Sequence, residues 1–240
     1  MASFPFWPDH LLAIMFGIIL PLVTVSRTPN NFEEVVFTPR TKNRLYLGNS
    51  LALGIMALVI IIVWLWQQRP FSALGFQPMH ASENIWIAWA SIGLFIFIYT
   101  ADVWYNLSAA RLMSTKERFA LRTPFLPNSF KEFPVFLIMC LSAGVFEEII
   151  FRGFLVSYMQ VLLQQSPNGS GMAIVLPALV FSVAHYYQGW YAVLKIFVMA
   201  VLFGMMFLHS QSIYIAMLLH TLVDVAGGLM SIWLYKKTTG

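Results

Sequence analysis

Three charged side chains interrupt a long apolar stretch in the second half of the chain: Glu147, Glu148 and Arg152. The surrounding residues 130–164 are otherwise mostly apolar and are typical of a membrane-crossing helix. A charged side chain at the centre of a bilayer costs roughly 2.5–3.5 kcal/mol even on a lenient scale. Three charges so close together therefore need partners or water, and we expect this stretch to face the interior of the protein.

The composition indicates the class of protein. Of the 240 residues, 59% are apolar and only 10% are charged, whereas soluble domains average about 25% charged residues. The apolar runs are about twenty residues long and do not alternate, which favours transmembrane helices over transmembrane strands. Because backbone polar groups in lipid must be satisfied within the protein, we predict an all-α, polytopic transmembrane helical bundle.

Seven apolar segments are long enough to be spans, and an eighth crossing arises if the fourth segment crosses twice. The predicted spans are 11–25, 45–66, 85–104, 130–164, 172–187, 190–208 and 212–235. The fourth segment is unusually long. At 1.5 Å per residue it reaches about 50 Å, against a hydrocarbon core of about 30 Å. We expect it to tilt, protrude or break, with Gly153 as the break point.

The basic residues predict an orientation. With seven crossings, residues 27–44, 105–132 and 236–237 lie on one side and carry four, five and two Lys or Arg residues, whereas the opposite loops carry one, Arg69. The positive-inside rule then places the N-terminus outside and the C-terminus in the cytoplasm, and we expect a bacterial-type plasma membrane. The net charge of +4 is accounted for by these loops, so we predict membrane lipid and not nucleic acid as a partner.

One carboxylate of the charged stretch has no expected partner within its helix. Glu148 and Arg152 are four residues apart, share a helix face and are expected to pair. Glu147 lies about 100° round the helix and stays unmatched. A desolvated carboxylate of this kind is suited to act as a general acid or base near neutral pH.

Two later segments offer further polar groups. His185 lies within the fifth span, and His220 and Asp224 are four residues apart in the seventh. A histidine–carboxylate pair fixes the tautomer and the orientation of the ring. Because ionisable groups within spans face polar cavities and not lipid, we expect these residues to meet Glu147. Such a set favours hydrolysis, in which Glu147 takes a proton from water and the imidazoles hold the water or stabilise the oxyanion.

The order Glu-Glu-x-x-x-Arg, Phe-x-x-x-His and His-x-x-x-Asp on successive apolar segments resembles the CPBP family, the CAAX-prenyl-protease and bacteriocin-processing membrane proteins. The resemblance covers about residues 130–235. It implies an intramembrane endopeptidase with an all-helical fold and a peptide or protein substrate. By this resemblance, residues 130–240 are the catalytic transmembrane core, and residues 1–129 contain N-terminal transmembrane helices and a basic cytoplasmic loop.

The resemblance also implies a role for each motif residue. Glu147 is the water-activating glutamate, Glu148 is its neighbour in the catalytic site, and Arg152 is the structural partner in an ion pair. His185 positions the water or polarises the carbonyl group. The remaining catalytic residues, His220 and Asp224, line the oxyanion site.

The family is described both as glutamate-dependent and as metal-dependent. Asp224 stands where the family often has Asn, and an ionised Asp cannot donate a hydrogen bond to an oxyanion. Asp224 therefore suits either orienting His220 or ligating a metal. Two histidines and a carboxylate also form a catalytic zinc set, for which the ligands would be Glu147, His185, His220 and Asp224. We favour a metal-free glutamate mechanism that requires no cofactor.

Two other functions fit the same residues. A proton-coupled membrane transporter would use buried carboxylates and histidines as a proton relay, although such transporters usually contain internal repeats, which we do not see in this sequence. A non-catalytic immunity or scaffold protein in the membrane would keep the helices without the reaction.

Overall fold

A computed structural model describes residues 5–27, 32, 36–81 and 83–239 of the chain. The described residues form helices and contain no strand, which confirms the all-α prediction. The helices are α1 Trp7–Ser26, α2 Pro39–Trp66, α3 Ile85–Leu107, α4 Leu112–Arg122, α5 Phe133–Leu162, α6 Gly169–Ala184, α7 Trp190–Ser210 and α8 Tyr214–Thr239. Short 3₁₀ turns precede α3 and α7, at Phe71–Leu74 and Tyr186–Gln188.

Six of these helices are long and apolar enough to cross a membrane, namely all except α4 and α6. Helix α6 has 16 residues, fewer than the roughly 20 that a lipid-facing span needs. It packs against α5 and α7, so protein as well as lipid surrounds it. The prediction of a polytopic helical bundle is confirmed, with one of the seven predicted spans shorter than a full crossing.

Helix α5 is continuous, so the predicted break at Gly153 is wrong. It passes through two π-helical segments, Ala143–Glu147 and Ile149–Val156. A Cβ atom at residue 153 would lie 3.0 Å from the carbonyl oxygen of Leu74. Glycine at this position therefore lets the Phe71–Leu74 turn pack closely against the helix. At 30 residues and about 45 Å, the helix exceeds the hydrocarbon core, which favours tilt or protrusion.

Helix α5 is also the centre of the bundle. Every residue of Ile149–Val156 is buried, and the ring of Phe154 contacts Phe16 of α1 at a centroid distance of 6.5 Å. Large apolar side chains cover the outside instead, for example Trp104, which is 80% exposed, as expected where lipid replaces water. Since the core takes residues from both halves of the chain, the predicted division at residue 129 stays a prediction.

At each end of the bundle, an ion pair joins a helix terminus to a neighbouring segment. At one end, Lys42 at the start of α2 pairs with Glu132 just before α5, with a distance of 3.1 Å between Nζ and Oε2. At the other end, Arg69 pairs with Asp9 of α1 at 2.8 Å. The polar stretch 105–132 and the Arg69 loop thus lie at opposite ends. Which end faces the cytoplasm stays a prediction.

Candidate active site

The two adjacent glutamates lie at the junction of the π-helical segments of α5. Glu147 ends the first segment and Glu148 precedes the second. A π-helical turn is wider than an α-helical turn and often occurs at functional sites. Adjacent side chains therefore point in more similar directions than the roughly 100° of an α-helix. Both glutamates reach the ring of His220 on α8.

Glu148 bridges Arg152 and His220 in the protein interior. Its Oε1 atom accepts hydrogen bonds from Nη1 of Arg152 and Nδ1 of His220, each at 2.7 Å. The Glu148 side chain is 0% exposed. The guanidinium of Arg152 packs on the rings of Phe181 and Phe203, with its central carbon 4.9 and 5.2 Å from the two centroids. The ion pair that the spacing of four residues predicts is thus present, enclosed by aromatic rings.

The His220 ring is oriented by Glu148, whereas the sequence suggested Asp224. Because Oε1 of Glu148 also accepts from Arg152, we infer that this carboxylate is ionised and that His220 donates from Nδ1. The other nitrogen, Nε2, lies 3.7 Å from Oε2 of Glu147 and 3.8 Å from Oδ2 of Asp224. The side chains of Glu147 and Asp224 are 15% and 29% exposed, so they form the accessible side of the cluster.

The sequence analysis placed His185 within a span, but in the structure it lies at the end of a helix. Helix α6 ends at Ala184 because the chain turns at Tyr186–Gln188, and His185 is its C-terminal cap. Nδ1 of His185 donates to the carbonyl oxygen of Phe181 at 2.8 Å. The Phe181 ring lies 4.7 Å from the His185 ring and 6.0 Å from the His220 ring, measured between centroids. His185 therefore borders the cluster across one aromatic ring.

Residues 129–226 match the model of a protein family described as type II CAAX prenyl endopeptidase, Rce1-like. This segment contains all the site residues named above. Residues 129–226 thus resemble the CAAX protease family. No curated protein and no solved structure matches the chain. The match supports a CAAX-protease-like intramembrane endopeptidase, a class of enzyme that acts on a peptide or protein substrate.

Three further residues lie at the site: Phe203 and Tyr187, which no sequence motif singled out, and Phe181, which appeared only as the first residue of the Phe-x-x-x-His motif. Phe181 lies four residues before His185, and this spacing could have revealed that they share a face. Phe203 on α7 carries no comparable signal. Tyr187 lies in the turn after α6, and the negative charges of Glu147 and Asp224 act on its hydroxyl group. Burial raises the pKa of the Tyr187 phenol to about 12, and the two carboxylates act in the same direction.

The predicted zinc ligands do not form a metal site in this geometry. In residues 5–27, 32, 36–81 and 83–239, no group of three or more His, Cys, Asp or Glu side chains is arranged to hold a metal ion. One nitrogen of His220 is hydrogen-bonded to Glu148, and one nitrogen of His185 to a backbone carbonyl. The metal-free mechanism therefore stays a prediction, and zinc bound by Glu147, His185, His220 and Asp224 stays its alternative.

Close backbone packing holds α5 and α8 together beside the site. A Cβ atom at Gly144 would lie 2.0 Å from Oγ1 of Thr221 and 2.8 Å from its backbone nitrogen. We expect Gly144→Ala to separate the two helices and to destabilise the protein by about 1–3 kcal/mol. The measurement is the thermal midpoint of the detergent-purified variant, together with its cleavage activity.

Gly93→Ala in α3 is the matched control, because a Cβ atom there meets nothing within 4 Å. Adding Thr221→Ala should recover only part of the loss, since the contact with the backbone nitrogen remains. A Gly144→Ala variant as stable and as active as Gly93→Ala would contradict this account of the helix contact.

Proposed function

We propose that this protein hydrolyses a peptide bond within the membrane, with Glu147 as the general base that activates water. One observation carries the proposal: a partly accessible carboxylate, Glu147, lies beside a histidine that a fully buried carboxylate orients. Two adjacent glutamates with different surroundings can take different roles, as acid–base pairs in enzymes do. Glu148 is committed to Arg152 and His220, whereas Glu147 is free to exchange protons.

A buried oxygen supports a water site at this position. The Oε2 atom of Glu148 is buried and finds no hydrogen-bond donor in the described part of the chain. A buried carboxylate oxygen without a donor is costly, and a bound water would satisfy it. Because Glu148 adjoins Glu147 in the sequence, we propose that a water bound there is within reach of the base.

The proposed reaction has two proton transfers. Glu147 takes a proton from water while the hydroxide oxygen bonds to the carbonyl carbon of the substrate. The carbon–nitrogen bond of the tetrahedral intermediate then breaks, and Glu147 returns the proton to the leaving nitrogen. Nε2 of His220 lies 3.7 and 3.8 Å from the carboxylates of Glu147 and Asp224. In this proposal His220 and His185 help to position the water and the substrate carbonyl.

We propose further that the basic loops face the cytoplasm of a bacterial-type plasma membrane. The packing supports this orientation because it puts the polar stretch 105–132 and the Arg69 loop at opposite ends, and lysine and arginine favour the cytoplasmic side. Labelling of single cysteines introduced at each end tests it, since the native Cys140 is buried.

The proposed mechanism needs no metal, and cleavage of quenched fluorescent peptides that end in a CAAX sequence, with and without a prenyl group, tests it. We expect the purified protein to cleave at least one of the two peptides at an unchanged rate after treatment with a chelator. A loss of activity that zinc restores would contradict the metal-free mechanism and would favour the set Glu147, His185, His220 and Asp224 as ligands. Metal analysis of the same sample gives an independent readout.

A further inference from the structure

Hydrogen-bond acceptors outnumber donors at the proposed site. Glu147, Glu148 and Asp224 are carboxylates, which accept hydrogen bonds when ionised. Peptide hydrolysis passes through a tetrahedral intermediate whose oxyanion needs donors. A second negative charge beside that oxyanion would oppose the reaction. The proton that Glu147 holds at this stage goes to the leaving nitrogen, so the oxyanion needs a further donor.

The histidines do not supply a free donor in their neutral forms. Nδ1 of His185 donates to the carbonyl of Phe181, and Nδ1 of His220 donates to Glu148. A neutral imidazole has one N–H group, so Nε2 of each ring is then an acceptor. If His220 is protonated, its second N–H group faces the carboxylates of Glu147 and Asp224 at 3.7 and 3.8 Å, and these compete for it.

Tyr187 has a donor that is not engaged. Its phenol oxygen accepts a hydrogen bond from Nε2 of Gln188 at 3.1 Å, so its own proton remains available in the described part of the chain. A phenol keeps that proton at neutral pH. The Tyr187 ring is half-buried and lies 6.0 Å from the ring of His185, which borders the cluster.

Three aromatic rings contact the ring of Tyr187. Its centroid lies 6.0 Å from His185, 5.8 Å from Phe125 after α4, and 6.4 Å from Phe32 before α2. Tyr46 of α2 donates a hydrogen bond to the backbone carbonyl of Phe125 and so fixes the backbone of Phe125. A donor held in advance of the reaction stabilises a developing charge without reorganisation.

We propose that the hydroxyl group of Tyr187 donates a hydrogen bond to the oxygen of the scissile carbonyl as negative charge develops on it. This inference rests on the proposed function, because it needs Glu147 to generate the attacking hydroxide. It assigns the turn after α6 a direct part in the reaction, beyond carrying the chain from His185 to α7.

Tyr187→Phe tests the role because it removes the hydroxyl and keeps the ring contacts. We expect kcat for the CAAX peptide to fall by about 10- to 1,000-fold, with KM and the thermal midpoint unchanged, since the hydrogen bond forms fully only in the transition state. Tyr186→Phe is the matched control, because this neighbouring tyrosine is exposed and packs on Trp190 at 6.4 Å. It should behave as the wild-type protein does.

A second test uses a variant that adds a hydrogen-bond donor at another position of the cluster. Asp224→Asn places an amide N–H₂ group in the cluster, so we expect the loss caused by Tyr187→Phe to be smaller in the Asp224→Asn background than in the wild type. A Tyr187→Phe variant with a kcat within twofold of wild type overturns the inference, as does a fall in kcat that a lower thermal midpoint accompanies. A wild-type protein that cleaves no peptide overturns the proposed function, and the inference with it.

Discussion

Glu147→Gln is expected to lower the rate of peptide cleavage by about 10²–10⁴-fold, the range over which a positioned general base contributes. The amide keeps the size of the side chain but cannot take a proton from water. Because the Glu147 side chain is partly accessible and makes no ion pair shorter than 3.7 Å with any residue that the structure describes, the variant should keep the folding stability of the wild type. The measurement is kcat/KM on the CAAX peptide, with the thermal midpoint as the check on folding.

Glu117→Gln makes the same chemical change on the exposed surface of α4 and serves as the control.

Variants of the site also distinguish the proposed function from the alternative functions. A Glu147→Gln protein with full cleavage activity would exclude Glu147 as the base. If cells instead retain the protein's normal function when Glu147, His185 and His220 are all replaced, a non-catalytic role is supported. Solute flux driven by a pH gradient and lost with Glu147 would favour the transporter.

Arg152→Met is expected to have the largest effect on stability, about 3–5 kcal/mol, the cost of leaving a buried charge without its partner. The guanidinium is 3% exposed and the Glu148 carboxylate 0%. Methionine fills similar space between Phe181 and Phe203 but leaves Oε1 of Glu148 with His220 alone. We expect a lower thermal midpoint, less protein in the membrane fraction and no cleavage.

The double variant Glu148→Gln with Arg152→Met separates charge from packing. Replacing both members of a buried ion pair by neutral side chains is often much less costly than removing one, so the double variant should recover much of the lost stability. It should stay less active than the wild type, because Gln cannot hold the His220 ring as the carboxylate does. If Arg152→Met alone melted at the wild-type temperature, the ion pair would not be structural.

Much of the site could be predicted from the local spacing of the charged residues. Charges in an apolar stretch had to face the interior, and residues four apart on one helix meet by geometry. For this reason the contact between Glu148 and Arg152 could be predicted, as could the membrane-spanning helical bundle. Family motifs in order along the chain gave the remaining candidates, and the family match of residues 129–226 confirms that resemblance.

Contacts between helices could not be predicted in the same way. The spacing of His220 and Asp224 suggested that Asp224 orients the ring, yet the short hydrogen bond comes from Glu148, which lies 72 positions away in sequence. The widened turns of α5 and the backbone contact between Gly144 and Thr221 bring these groups together. Neither feature has a periodicity that a sequence pattern displays.

The sequence by itself determined that this chain is a helical membrane protein with ionisable groups inside its apolar segments, because hydrophobicity and the cost of buried charge act locally along the chain. The motifs within residues 129–226 supplied the resemblance to the CAAX protease family. The tertiary structure decided which carboxylate is enclosed and which is accessible, and it placed His185 at the end of α6 beside Tyr187. These outcomes depend on how neighbouring helices pack, and packing joins residues that are far apart in the sequence.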